Sequence, residues 1–152
     1  MTVCETCSAN AGELTTPGGV LYQDEYWRLE HMFEPVPLVG WLVLKPLVHR
    51  ESFADLSADE AATFGPLVQR ITAAMTQVLA PERVYLSLYD ERGQIRHVHF
   101  HLIPRYPNVP VERYGPGIFD YLREARAGGK NLAEMAEVLR ATAAIRALLA
   151  AA

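Results

Sequence analysis

The chain is poor in cysteine, has no run of like charge and has no long apolar stretch, and each absence narrows what it can be. Two cysteines in 152 residues are too few for a disulfide framework. Fourteen Lys and Arg against eighteen Asp and Glu give a formal charge of −4. Without a basic block there is no electrostatic footprint for nucleic acid. The longest apolar runs, such as Gly40-Trp41-Leu42-Val43-Leu44, are far too short to span a bilayer, so no membrane association is expected. Met1-Thr2-Val3-Cys4-Glu5 has neither the basic start nor the apolar core of a signal peptide, which makes a reducing cytoplasm the expected location. What is present fits a folded globular protein: half the residues are hydrophobic and 21% are charged. A chain of this length suits one compact unit whose core needs no covalent staple.

Residues 1–19 are small and polar and carry Cys4-Glu5-Thr6-Cys7. Val20–Tyr22 and Tyr26–Phe33 read as strands around the turn Gln23-Asp24-Glu25. Gly40–Pro46 is a short apolar run suited to a buried strand. Ser57 with Glu60 forms a capping box: the hydroxyl and the carboxylate satisfy backbone N–H groups reciprocally. From there Phe64, Leu67, Val68, Ile71, Met75, Val78 and Leu79 recur at three- and four-residue steps, the stripe of an amphipathic helix. Gly65-Pro66 is a candidate bend, and Pro81 lies past the end. Val84–Tyr89 and Ile95–Ile103 read as strands joined by Asp90-Glu91-Arg92-Gly93, with prolines 104, 107 and 110 forming a connector. Gly128-Gly129 interrupts the C-terminal region, and Asn131 with Glu134 opens a last Ala/Leu-rich helix. This order predicts an α+β fold: an antiparallel sheet with one main packed helix and a helical C-terminal tail.

Three of the five histidines lie in His97-Val98-His99-Phe100-His101-Leu102-Ile103. On a strand alternate side chains share a face, so the three imidazoles point one way, exposed, and Val98, Phe100 and Leu102 point into the core. One strand histidine is usually a satisfied surface or core residue; three in strict alternation point to chemistry. Two chemistries use such a row. Neutral imidazoles bind zinc, but His97 and His101 are about 13 Å apart along the strand while a Zn–N bond is about 2 Å. Alternatively, an imidazole nitrogen attacks phosphorus while the other nitrogen holds its proton against a carbonyl, and a flanking imidazole binds phosphoryl oxygens or protonates the leaving group. Cys4 and Cys7 form a CxxC that is weak evidence alone: a zinc pair, a redox pair or two isolated thiols all fit. A tetrahedral Cys₂His₂ zinc needs two more ligands, and His31, His49 and the row offer them. Such a metal would tie the N-terminal segment to the domain.

His97–Ile103 followed by Pro104-Arg105 resembles the motif of the histidine-triad (HIT) family, His-φ-His-φ-His-φ-φ with φ apolar. Gly40–Lys45-Pro46 followed by His49 is similar to that family's strand ending in a Lys-Pro or Pro-Lys pair and then His, and the helix from Ser57 sits where HIT proteins place theirs. The resemblance covers roughly residues 3–107. It implies a HIT-like domain over residues 1–110 with an N-terminal zinc knuckle, and residues 111–152 as a helical extension packed on the same domain. It further implies a nucleotide hydrolase or nucleotidyl transferase working through a nucleotidyl-histidine intermediate on His99. The substrate would be a nucleoside phosphoanhydride, ester or phosphoramidate, such as a diadenosine polyphosphate or an adenylyl-amidate. Residue by residue, the resemblance places a structural zinc on Cys4, Cys7, His49 and His97, with His101 against the α-phosphate. Gln94 and Ser87 fall at or near family positions that hold polar substrate contacts. Where HIT proteins usually carry an Asp for the ribose hydroxyls this chain has Met32, with Glu30 and Glu34 as nearby carboxylates. Tyr22 and Trp27 are candidate walls of a base pocket, although strand aromatics are more often core. A homodimer is the family's frequent assembly, and a small-molecule nucleotide is the implied partner. Two other readings remain at this stage: a nucleotide-binding module with little activity, and a metal-dependent hydrolase using the histidine row as a catalytic zinc site.

Overall fold

The computed structural model describes residues 4–92 and 95–151. A five-stranded antiparallel sheet is formed by β1 (Val20–Gln23), β2 (Trp27–His31), β3 (Leu42–Pro46), β4 (Arg83–Arg92) and β5 (Ile95–Arg105), in the order β1-β2-β3-β5-β4. Among the described residues four α-helices accompany it: α1 (Glu5–Asn10), α2 (Ala58–Leu79), α3 (Asp120–Gly128) and α4 (Met135–Ala150). Among the described residues no helix is long and apolar enough to cross a membrane.

The alternation expected of the histidine strand holds. Val98, Phe100 and Leu102 join Trp27, Leu29, Leu42 and Leu44 on one face, against Leu67, Ile71 and Met75 of α2 and Ile145 and Leu149 of α4. Burying that many large apolar side chains, at roughly 1.5–3 kcal/mol each, is the dominant favourable term for this face. The capping box at α2 is present, with Glu60 N–H donating to Ser57 Oγ at 3.1 Å and Ser57 N–H to Glu60 Oε2 at 2.6 Å. The helix runs through Pro66 to Leu79. The other face is covered only in part, by α1 at one side and α3 at the other. A second apolar cluster of Met32, Trp41, Ile103, Ile118 and Leu122 anchors the α3 side.

Four local expectations change. The strands flanking the hairpin are longer, so Asp90, Glu91 and Arg92 belong to β4 and Pro104 to β5. The pairing of β3 with β5 reaches only Leu102, so the missing N–H of Pro104 breaks no bond on that side. The last helix starts at Met135, because Asn131 is used elsewhere: its Oδ1 accepts from Val36 N–H at 2.7 Å. Helix α3 was hidden by the glycines that end it; Gly129 is its left-handed C-cap at φ 61°. The N-terminal segment is likewise not loose. Cys4 caps the short α1, and Asn10 Nδ2 donates to the carbonyls of Pro46 (2.9 Å) and Leu47 (3.2 Å), pinning α1 to the end of β3.

Candidate active and metal site

Strand pairing builds a cluster of four side chains that could hold a metal. His49 lies just past β3 and His97 near the start of the neighbouring β5, and Val98 N–H donates to Arg50 carbonyl at 2.8 Å, holding the two segments together. With α1 docked there, Cys4, Cys7, His49 and His97 present ligand atoms all within 4.8 Å of one another. Cys4 Sγ stands 3.4 Å from His97 Nδ1, and Cys7 Sγ 3.3 Å from His49 Nδ1 and 3.6 Å from His97 Nδ1. With Zn–S near 2.3 Å and Zn–N near 2.0 Å, the S···N edge of a tetrahedron is about 3.5 Å, so the donor set has the size that zinc requires. His97 Nε2 faces the Pro46 carbonyl at 3.4 Å, an outer partner that would leave Nδ1 as the atom offered to a metal. Burial and the adjacent Cys4 push the Cys7 thiol up to about 11; a bound divalent cation would make both cysteines thiolates at neutral pH. His31, the other candidate, is not in the cluster. It accepts Gly40 N–H on Nε2 at 3.0 Å and donates from Nδ1 to Met32 carbonyl at 3.1 Å. Gly40, at φ 75°, sits where an added Cβ would meet Leu79 Cδ1 at 2.4 Å, so this turn demands glycine.

The other two triad histidines stand apart from this Cys₂His₂ cluster. His99 Nδ1 faces the carbonyl of His97 at 2.8 Å. A carbonyl only accepts, so the proton sits on Nδ1 and the lone pair on Nε2, the nucleophilic tautomer. His101 has the opposite arrangement: Trp41 Nε1–H donates to its Nδ1 at 2.8 Å, which places the His101 proton on Nε2 as a hydrogen-bond donor. Burial above all, helped by the nearby His99 and Arg126, pushes His101 down to about 3, so it stays neutral at physiological pH. The row is less exposed than alternation on a half-covered sheet suggests. His97 and His101 are buried and His99 is half-buried, because α1 covers the first, while Trp41 and Phe119 pack edge-on against His101 at 5.8 and 5.6 Å between ring centres.

A cavity of about 310 Å³ opens over this face, lined by all three triad histidines, Tyr89 and Glu91 of β4, Glu30 and Lys45 on the sheet floor, and Phe119, Arg123 and Arg126 from the C-terminal segment. That is enough room for a small polar ligand. Ser87 lies beside His101 in the β4–β5 register but does not line the cavity. Glu34 is outside the cavity as well and accepts from Asn131 Nδ2 at 3.0 Å. Both oxygens of Glu30 are engaged, one by Lys45 and one by Arg28. Gln94 lies outside the described residues. Trp27 and Tyr22 are not cavity walls: Trp27 is fully buried on the opposite face against Phe64 and Phe100, and Tyr22 packs on the same core. The sequence reading missed Trp41 as the partner that sets the His101 tautomer. It also missed the contribution of α3, some twenty residues beyond the triad in sequence and visible only once the chain folds back.

The HIT domain family matches residues 13–108. The chain belongs to the HIT family. Its CxxC precedes the matched segment of this HIT protein, and α3 and α4 follow it. No curated protein sequence matches the chain. Among solved structures, a hypothetical histidine triad nucleotide-binding protein from Sulfolobus tokodaii superposes with a TM-score of 0.71 at 19% identity, over 97% of this chain and 93% of that one. A Zn-bound histidine triad family protein from Mycobacterium smegmatis gives 0.67 at 16% identity, over 97% and 94%. Diadenosine triphosphate hydrolase from Plasmodium falciparum gives 0.60 at 16% identity, over 87% and 76%. At these identities the likeness establishes the shared fold, with helices outside the matched domain included.

Proposed function

We propose that this HIT protein is a nucleotide hydrolase or nucleotidyl transferase acting on a nucleoside phosphoanhydride, ester or phosphoramidate through a covalent intermediate on His99. The observation that carries the reading is the pair of opposite tautomers: Nδ1–H of His99 held by the His97 carbonyl, and Nε2–H of His101 enforced by Trp41. In the first step the His99 Nε2 lone pair attacks the α-phosphorus; a P–N bond forms, the bond to the leaving group breaks, and that group departs with the electron pair and takes a proton from solvent. His101 Nε2–H donates to a phosphoryl oxygen as charge develops there, joined in this proposal by Gln94. Water or an acceptor hydroxyl then attacks phosphorus and releases His99. The activity named for the Plasmodium falciparum neighbour is of this kind.

The proposal includes a zinc on Cys4, Cys7, His49 and His97. Four protein ligands leave no coordination position for substrate or water, so the metal would supply only a clamp that holds α1 and His97 in place. A catalytic zinc on the histidine row finds less support, since only His97 of the row joins the cluster found among the described residues. Residues 1–110 are the proposed catalytic unit and 111–152 an extension of the same domain. A reducing cytoplasm suits the free CxxC. A homodimer is proposed through β4, a sheet edge on which Leu86 and Leu88 are 48% and 43% exposed. The test is to incubate the zinc-loaded protein with a phosphorus-labelled nucleoside phosphoramidate and trap the acid-labile phosphohistidine adduct. The adduct and turnover should both vanish in His99→Ala while zinc content stays at one per chain; turnover within tenfold of the parent would refute the covalent route.

A further inference from the structure

The two residues between the cysteines, Glu5 and Thr6, line the cavity together with His97, His99 and His101. They sit in the first turn of α1, a helix of six residues, far too short to hold its shape by its own hydrogen bonds. Its two ends are fixed differently. At the C-terminal end Ala9 is fully buried, the Asn10 side chain donates to the carbonyls of Pro46 and Leu47, and the Asn10 carbonyl accepts from Arg28. At the N-terminal end Cys4 and Cys7 bracket Glu5-Thr6 and present their sulfurs to His49 and His97 within 4.8 Å. A metal on those four atoms would therefore fix the turn that carries Glu5 and Thr6 to the cavity wall, while the far end of α1 stays docked without it. The Glu5 carboxylate only accepts hydrogen bonds, and the Thr6 hydroxyl accepts or donates, which suits the O–H and N–H donors of a nucleoside. The phosphate belongs at the imidazoles, where His101 Nε2–H is the donor.

We propose that Glu5 and Thr6 contact the nucleoside part of the bound nucleotide and that the metal cluster positions them, so that zinc and nucleotide each strengthen the binding of the other. The inference rests on the nucleotide and zinc readings above and adds binding residues to that site. Without the metal the ligand must itself order the first turn of α1, and the cost of that ordering is subtracted from its affinity. With the turn already fixed, the wall is in place before the ligand arrives. Linkage makes the effect reciprocal: the factor by which zinc raises nucleotide affinity is the factor by which nucleotide raises zinc affinity. The effect falls on affinity rather than on the chemical step, which the tautomers of His99 and His101 carry.

Calorimetry of AMP binding to the full chain, zinc-loaded and after metal depletion, reads the coupling with no bond broken. The zinc-loaded protein should bind AMP about tenfold tighter, within the roughly 5–150-fold span usual for coupled sites. Competition with a chelator should show zinc held tighter by the same factor when AMP is saturating. The Glu5→Ala, Thr6→Ala double variant keeps all four ligands and should keep its zinc. It should nevertheless bind AMP about tenfold more weakly than the parent and lose the coupling. If the depleted protein does not stay folded, the chelator competition and the double variant, both starting from zinc-loaded protein, decide. AMP affinity in the zinc-loaded double variant equal to the parent's overturns the inference, as does a zinc affinity indifferent to AMP. Either result would leave the His99 adduct and one zinc per chain standing. A parent that binds no AMP or holds no zinc would instead remove those readings and this inference with them.

Discussion

Acid should weaken this fold through two histidines that are buried in the neutral form. Desolvation pushes His31 down to about 4 and His101 down to about 3, from 6.5. Because both folded-state values lie below the unfolded value, the unfolded chain takes up protons first as pH falls. The stability these groups contribute is therefore complete above about pH 7 and is lost progressively below 6.5, down to the folded values. At 1.36 kcal/mol per pH unit, each histidine removes roughly 2 kcal/mol between pH 7 and pH 5, about 4 kcal/mol together, a large part of the 5–15 kcal/mol typical of a whole domain. Urea unfolding followed by the fluorescence of the buried Trp27 and Trp41 at the two pH values measures the loss. His31→Gln supplies the control, since the amide can still accept the Gly40 N–H but does not titrate. Its loss between pH 7 and 5 should be smaller than the parent's by about 2 kcal/mol. Every other group is common to both proteins, so its contribution cancels in that difference. Equal losses in parent and variant would show that His31 is not held neutral by burial.

Cys4→Ser should lose zinc and melt at lower temperature, while the turnover of the folded fraction falls only modestly, as a closed structural site requires; full zinc retention in that variant, measured by atomic emission, would refute the ligand assignment. His101→Ala should reduce turnover on the order of 10²-fold with its His99 adduct still detectable, the loss of one phosphoryl donor; parental kcat would remove it from the mechanism. Trp41→Phe should cost about 1–3 kcal/mol of stability by leaving His101 Nδ1 unpaired in the interior. It should also cut turnover about tenfold, because Nε2–H is no longer enforced on His101; turnover equal to the parent's would show that the tautomer is not controlled by the indole.

Much of the site was legible because it is written in local periodicity. The step of two along His97–Leu102 determines which side chains share a face, since a strand alternates whatever surrounds it, and the core set Val98, Phe100 and Leu102 confirms that. The capping box and the three-and-four-step stripe marked α2 for the same reason: hydrogen bonds and apolar contacts between residues a few positions apart. The family resemblance carried Cys4, Cys7, His49 and His97 to one point, which spacing alone had left open. What tertiary structure decided is everything that depends on pairs distant in sequence. Trp41 reaches His101 because β3 and β5 are neighbours in the sheet, and no local pattern encodes which donor meets which ring nitrogen. Phe119 and Arg126 join the cavity only because the C-terminal segment folds back across the sheet. Lys45 read as the end of an apolar strand, and only the register of β2 against β3 puts Glu30 beneath it. Tautomers and donor inventories are set by such long-range contacts, because a proton's position on a ring depends on the one atom that packing brings within about 3 Å of it.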